Sequence, residues 1–234
     1  MLCPLLFLRS HLRYDNLSMF VAELMMISKN YFSNSIIRKT VSILPLVLFI
    51  TILWNGCAKK LPDGKNISNN NYVLLNQDST KVNFPHDYNG KILVATFIYT
   101  NCPDICPMTT HNMQLVQQQI KSEGIKGVQF AAISFDPQRD TPSILKEYAS
   151  IRDIDLSNFN FLSGTKKNIA SLIHEFDFLA IPGDTTTSGK NRIYFFTHTD
   201  KIFLIDQNGI IRNEYRGSHV NRDKLISDIK SLED

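Results

Sequence analysis

"KILVATFIYTNCPDICPMTTHNM", Lys91–Met113, runs from a continuous apolar stretch through two cysteines into a polar segment with helical spacing. Lys91–Thr100 is rich in β-branched and aromatic residues and shows no polar alternation, the pattern of a strand covered on both faces. Met108–Ser122 reads as a helix, with Pro107 at its first position, where a missing N–H costs little. Leu115, Val116 and Ile120 form its expected buried stripe. Cys102 and Cys106 therefore occupy a stiff turn between a buried strand and a helix N-terminus, and pro-rich spacing at Pro103 and Pro107 limits how regular that turn can be.

The neighbouring segments extend the pattern. "VQFAAISF", Val128–Phe135, is a second strand of the same buried type. Upstream, "YVLLNQDSTKVNF" reads as a hairpin turning at Gln77-Asp78-Ser79. Downstream, Asp140-Thr141-Pro142 opens a helix through Ser150, and "TKKNIASLIHEFDF" opens another after Ser163-Gly164. "KIFLIDQNGIIRNEYRG" gives two strands joined at Gln207-Asn208-Gly209, where Asn-Gly is a strong hairpin signal, and a last helix covers about Asn221–Leu232. This order of elements is that of a thioredoxin-like α/β sandwich: a central mixed β-sheet flanked by helices, with an N-terminal hairpin.

The chain has 234 residues and a formal charge of +3. Before Cys57 lie Arg9, Arg13, Lys29, Arg38 and Lys39 against Asp15 and Glu23, so the whole excess sits there and the remainder is neutral. No basic face points to nucleic acid. In the same region Arg38-Lys39 precedes "VSILPLVLFITILW", Val41–Trp54, followed by Asn55-Gly56-Cys57. Basic residues, a short apolar core and a small residue make a secretory signal, and the core is short of the roughly 20 residues of a permanent span. Gly56-Cys57 resembles a bacterial lipoprotein cleavage site with Cys57 lipidated; an uncleaved N-terminal anchor is the alternative. Both tether an exported domain in the bacterial cell envelope, facing the periplasm or extracytoplasmic space. The expected organisation is a targeting segment over 1–56, a tether and linker over 57–71 ("LPDGKNISNNN" being Asn, Gly and Pro-rich), and the folded domain over 72–234. Residues 1–35 precede a complete signal, which suggests a true start at Met19, Met25 or Met26. Cys3 then drops out, lipid takes Cys57, and Cys102 and Cys106 remain as the thiols of an exported domain, where a disulfide between them is reasonable.

Side chains four apart share a face of a helical turn, and a helix N-terminus favours thiolate. Cys102 and Cys106 thus suit a redox pair, a soft-metal clamp, or both. A purely structural disulfide is a weak reading, because so short a loop gains little from closure. The metal reading needs a third ligand, and His86, His111, His174, His198 and His219 are the candidates. His198 stands out. It lies in "YFFTHTDKIFLID" just before the terminal hairpin, where thioredoxin-like folds face the active-site cysteines and usually present a threonine and a cis-proline; Thr197-His198 takes that place. Two thiolates and an imidazole suit copper, as Cu(I) in a trigonal site or Cu(II) with an added ligand, whereas zinc would normally seek a fourth protein ligand.

Three separated stretches resemble the Sco/SenC family. "YTNCPDICPMT" looks like its Thr-x-Cys-Pro-x-x-Cys-Pro metal loop, "ISFDPQRDTPSILKEYA" (Ile133–Ala149) is similar to its Ser-x-Asp-Pro-x-Arg-Asp-Thr-Pro segment, and "THTDKIFLIDQNG" looks like its His-containing approach to the terminal hairpin. The resemblance implies a membrane-tethered copper chaperone of cytochrome c oxidase assembly. Cys102, Cys106 and His198 match its copper ligands, and Cys102 and Cys106 its disulfide-forming pair. Its implied partners are the oxidase copper-site subunit, which receives copper at a binuclear site, and a copper donor chaperone. Asp136, Arg139 and Asp140 match a polar loop, structural or partner-facing, with a capped helix start at Asp140 as the plainer reading. "IPGDTTTSGKNRIYFF" matches the family's variable, mobile loop. The implied alternative function is a thiol-disulfide oxidoreductase that reduces the oxidase copper-site cysteines, which needs both cysteines but not His198. A peroxiredoxin-like peroxidase, with Thr100 beside one activated cysteine, fits the paired cysteines poorly.

Overall fold

The computed structural model describes residues 61–183, 186–188 and 191–233. The targeting segment 1–56, Cys3, the lipidation candidate Cys57 and the alternative starts at Met19, Met25 and Met26 lie outside the described residues. Eleven strands are named in chain order: β1 (Tyr72–Asn76), β2 (Lys81–Phe84), β3 (Ile92–Ile98), β4 (Val128–Ser134), β5 (Phe159–Gly164), β6 (Ala180–Pro182), β7 (Thr186–Ser188), β8 (Asn191–Ile193), β9 (Phe196–His198), β10 (Ile202–Ile205) and β11 (Ile211–Tyr215). The helices are α1 (Ile105–Ser122), α2 (Pro142–Ile151), α3 (Lys166–Glu175) and α4 (Arg222–Lys230).

Seven strands form one sheet in the order β11-β10-β3-β4-β5-β1-β2. β3, β4 and β5 run parallel, while β10, β11, β1 and β2 pair antiparallel. The sheet is therefore mixed; β3 and β4 of its parallel centre are the two apolar runs read as strands, while β5 beside them is a strand the sequence reading did not anticipate. All seven residues of β3 are buried. Their side chains alternate between two covered faces. On one, Phe97 and Phe203 meet Phe176 and Phe178, which follow the turns of α3. On the other, Phe130, Phe159 and Phe161 lie under Tyr148 of α2. α2 is locked to α1 by the contact of Tyr148 Oη with Thr110 Oγ1 and by Gln114 Nε2 donating to the Arg152 carbonyl. The N-terminal hairpin pairs Tyr72 with Phe84 through Leu75 with Lys81.

Four expectations change. First, α1 begins at Ile105 rather than Met108, so Cys106 lies inside its first turn. Pro107 is tolerated there because N–H groups of the first turn have no intrahelical partner in any case. Leu115 is half-buried, whereas Val116 and Ile120 are buried as expected, together with Cys106, Thr109, Thr110, Met113, Gln114 and Gln117. Second, the cap of α2 is Thr141, whose hydroxyl accepts from the Ile144 N–H, and not Asp140. Third, residues 61–68, expected within the linker, pack on the terminal hairpin: Gly64 N donates to Ile211 O, Ile67 N to Gly209 O, and Arg212 Nη2 to Leu61 O. Ile67 is fully buried, and that one apolar side chain outweighs the loop-like composition around it. Gly209, at φ +74°, makes the Asn-Gly turn; a Cβ there would fall 2.9 Å from Ser68 Cβ. Fourth, the segment matched to a loop carries β6 paired with β9 and β7 paired with β8. Three-residue strands in a Gly, Thr and Ser-rich segment carry no readable period. Among the described residues no helix is long and apolar enough to cross a membrane.

Candidate metal centre

The topology brings the cysteines and His198 together. The cysteines follow the C-terminal end of β3. β10 pairs antiparallel to β3 with Ile202 opposite Thr96, so the chain approaching β10 runs beside the chain leaving β3. That approach is β9, which ends in His198 and pairs Ala180 with His198.

The loop begins with a turn in which Cys102 N donates to Tyr99 O. Asp104 is the N-cap of α1 but makes no side-chain cap. The Cys102 sulfur does so in its place, accepting the Cys106 N–H at 3.5 Å. Such an unpaired helix N–H, with the helix dipole behind it, stabilises a negative sulfur. Cys102 Sγ and Cys106 Sγ each lie 3.7 Å from His198 Nε2. The three ligand atoms fall within 4.8 Å of one another, and both thiols are free.

The imidazole is oriented from behind. Its Nδ1 lies 2.8 Å from the Thr199 carbonyl oxygen, which can only accept. Nδ1 therefore carries a proton, and Nε2 is the nitrogen that faces the sulfurs, donating to the Cys102 thiolate when protonated and offering its lone pair to a metal when not. Three rings wall the imidazole: Phe135 and Tyr99, with centroids 5.1 and 5.7 Å away, and Phe178 stacked at 6.2 Å. The wall removes water from one side of the site.

The two thiols are unequal. Cys102 is held down to about 3, first by the hydrogen bond from Cys106, then by His198 and by backbone N–H groups, against the opposing effect of burial. Cys106 is pushed up, by that same bond to a thiolate neighbour and by its own burial. Burial opposes charge on His198, yet its contacts with Cys102 and the Thr199 carbonyl leave it raised. The resting arrangement is a Cys102 thiolate accepting from a Cys106 thiol.

The spacing fits a metal ion. Bonds of about 2.3 Å to sulfur and about 2.0 Å to imidazole nitrogen separate the two donors by about 3.5–3.7 Å at tetrahedral or trigonal angles. Both observed separations match. Two soft thiolates with one imidazole favour copper among first-row ions, and no other His, Cys, Asp or Glu joins the group among the described residues. Entry of a metal would displace the Cys106 proton.

A family model described as SCO1/SenC matches residues 61–234. The chain belongs to the SCO1/SenC family. This SCO1/SenC domain resembles three solved structures. A SCO1/SenC family lipoprotein from Bacillus anthracis str. Ames is 31% identical, covering 77% of this chain and 99% of that one, with a TM-score of 0.60. Bradyrhizobium japonicum ScoI with copper bound is 28% identical over 70% and 98%, TM-score 0.60. BsSco, described as a member of the Sco family of cytochrome c oxidase assembly proteins with a disulfide switch, is 28% identical over 74% and 98%, TM-score 0.60.

Within this family member the other described histidines stand apart from the sulfurs. His111 is exposed on α1 with Nδ1 at 3.2 Å from Gln114 Oε1, His86 Nε2 meets the Ser68 carbonyl, His174 is exposed on α3, and His219 Nδ1 meets Ser218 Oγ. The Asp136, Arg139 and Asp140 loop lies behind the site. Asp140 is fully buried and accepts from Thr100 N, Thr100 Oγ1 and Ser134 Oγ, fixing the start of the cysteine loop. Asp136 pairs with Arg139 and accepts from Tyr194 Oη, while the Arg139 guanidinium lies 3.7 Å from the Tyr194 ring centroid. Sequence reasoning missed Tyr99, Phe135 and Phe178 as the wall around His198. Tyr99 and Phe135 could have been found as the aromatic residues ending the two buried apolar runs, but nothing marks Phe178.

Proposed function

We propose that this protein is a copper-binding assembly factor that carries copper on Cys102, Cys106 and His198 and passes it to the binuclear copper site of a cytochrome c oxidase subunit. The observation that carries the reading is the pair of equal 3.7 Å separations between one imidazole Nε2 and two sulfurs, with Nδ1 already occupied by a carbonyl. A metal held by three ligands can leave by ligand exchange, an incoming partner thiolate replacing one sulfur at a time. Copper here is cargo, received from a donor chaperone and given to the oxidase subunit. The copper-bound ScoI structure and the oxidase-assembly role ascribed to BsSco support this assignment. The segment before residue 61 tethers the domain to the membrane through lipid on Cys57 or an N-terminal anchor, a reading supported by the lipoprotein relative.

The test is titration of the reduced full chain with Cu(I) and with Cu(II) against a competing chelator. One tightly held copper per chain, lost in His198→Ala, is the expected result. Weak binding that ignores His198→Ala would sink the copper reading.

The inequality of the thiols favours a second reading, reduction of the recipient's cysteines before copper arrives. The Cys102 thiolate would attack one sulfur of a partner disulfide, expelling the other as a thiolate. Cys106, giving up its proton, would then attack Cys102 and release the second partner sulfur. Two electrons reach the partner and Cys102–Cys106 is left as a disulfide. This role survives His198→Ala, which separates it from copper carriage.

A further inference from the structure

Asp200, two residues beyond His198, joins three pieces of chain beneath the site. Its Oδ1 accepts from Thr109 Oγ1 at 3.2 Å and from Ser218 N at 3.0 Å, and its Oδ2 accepts from Ser218 Oγ at 2.5 Å. Its own carbonyl accepts from Gly217 N, and Arg216 Nε stands 3.6 Å from Oδ2. Thr109 is one turn beyond Cys106 on the same buried face of α1. The junction is tight: Asn112 Nδ2 donates to the carbonyls of Gly217 and Ser218, and a Cβ on Gly217 would fall 2.6 Å from Thr109 Oγ1 and 2.7 Å from Asp200 Oδ1. The approach of α1 to the end of β11 thus depends on a glycine at that position.

The consequence concerns His198. Its ring is aimed by the Thr199 carbonyl. Thr199 is held on one side by Leu179, whose carbonyl accepts from Thr199 N and whose N–H donates to Thr199 Oγ1. On the other side the next anchor along the chain is Asp200. We propose that Asp200 is a positioning residue: by tying the 198–200 turn to the helix that carries Cys106, it fixes the distance between the His198 imidazole and the two sulfurs. The proposal rests on the copper reading for one of its two readouts and on geometry alone for the other.

The test compares the full-length wild type with Asp200→Ala, Asp200→Asn and Thr109→Val. In the reduced, copper-free protein, NMR should show nuclear Overhauser contacts from the His198 ring to the rings of Phe135 and Tyr99. Asp200→Ala should lose them, and Asp200→Asn, which keeps an acceptor for Thr109 and Ser218, should restore most of them. In copper titration, Asp200→Ala should weaken binding about 10–100-fold, the range for groups that orient a metal ligand, and should move the sulfur-to-copper absorption band toward that of His198→Ala. Thr109→Val, which cuts only the tie to α1, should give a smaller change in the same direction and keeps the test open if Asp200→Ala does not fold. Unchanged ring contacts in a folded Asp200→Ala or Thr109→Val protein overturn the proposal, even if the melting temperature falls. A wild type that shows the ring contacts but holds no copper tightly refutes the copper reading while leaving Asp200 to be decided by NMR.

Discussion

Asp140 accepts the Thr100 backbone N–H at 3.0 Å and the Thr100 hydroxyl at 2.5 Å, across 40 residues of sequence. Thr100 begins the turn that presents Cys102, so the Asp140 carboxyl is a buried peg for the cysteine loop. Asp140→Ala would leave the Thr100 and Ser134 donors without partners in a closed interior. At about 1–3 kcal/mol for each group left unsatisfied, the variant should lose at least about 2 kcal/mol of stability. Chemical denaturation would check this; a loss under about 0.5 kcal/mol, the usual range for surface changes, would contradict the role.

The same carboxyl gives a pH dependence of defined sign. Burial raises Asp140 above its ordinary 3.8, against the hydrogen bonds from Ser134 and Thr100, which lower it. A raised carboxyl binds its proton more tightly folded than unfolded, so its contribution is fully present below 3.8 and is lost as pH rises through the folded value. Asp140→Asn cannot ionise. Plotted from pH 4 upward, wild-type stability should therefore fall relative to Asp140→Asn, and parallel curves would remove the effect.

Cys102 should react before Cys106. With its thiol held near 3, Cys102 is thiolate at pH 5, whereas Cys106 is raised and 2% exposed. Brief iodoacetamide treatment of the reduced protein at pH 5, read by peptide mass spectrometry, should label Cys102 almost alone. His198→Ala removes one of the lowering contacts and should shift the onset of labelling to higher pH. Equal labelling of both cysteines, or none below pH 7.5, would contradict the assignment of the thiolate.

How much of this was legible in the sequence depends on how far apart the cooperating residues lie. The buried strands announce themselves through "ILVATFI" and "VQFAAIS", because a strand covered on both faces needs no polar alternation. The terminal hairpin follows from Asn208-Gly209. His198 is legible through its place at the approach to β10. Pro107 imitates a helix opening and so draws the expected start of α1 too far along the chain, while the real cap is a sulfur, which no capping rule anticipates. The ties from Asp140 to Thr100 and from Asp200 to Thr109 leave no local pattern at all, since each joins residues separated by whole elements of the fold.

Arg139 links the polar loop to the arm that carries His198. It pairs with Asp136, donates to the Tyr194 carbonyl at 3.2 Å and covers the Tyr194 ring. Tyr194 lies four residues before His198. Hydrogen bonds to charged groups contribute about 1.5–3 kcal/mol, so Arg139→Ala should loosen the arm and weaken copper binding several-fold while the sheet stays folded. A protein that melts as the wild type does and binds copper as tightly would show the clamp to be idle.

Copper and the disulfide should exclude one another. A Cys102–Cys106 bond consumes both sulfurs, and forming it from the Cys102 thiolate and the Cys106 thiol removes two electrons and the one remaining thiol proton. Cys106, buried and raised, gives up its proton only when its sulfur bonds an incoming metal or an oxidised neighbour. Either event ends the availability of the pair for the other. Protein oxidised with diamide should therefore bind no copper until treated with dithiothreitol, and protein loaded with Cu(I) should resist diamide under conditions that oxidise the metal-free form. The two measurements are thiol counting and copper content on the same samples. Tight copper uptake by fully oxidised protein would mean that the sulfurs are not the ligands, and the site would have to be sought elsewhere.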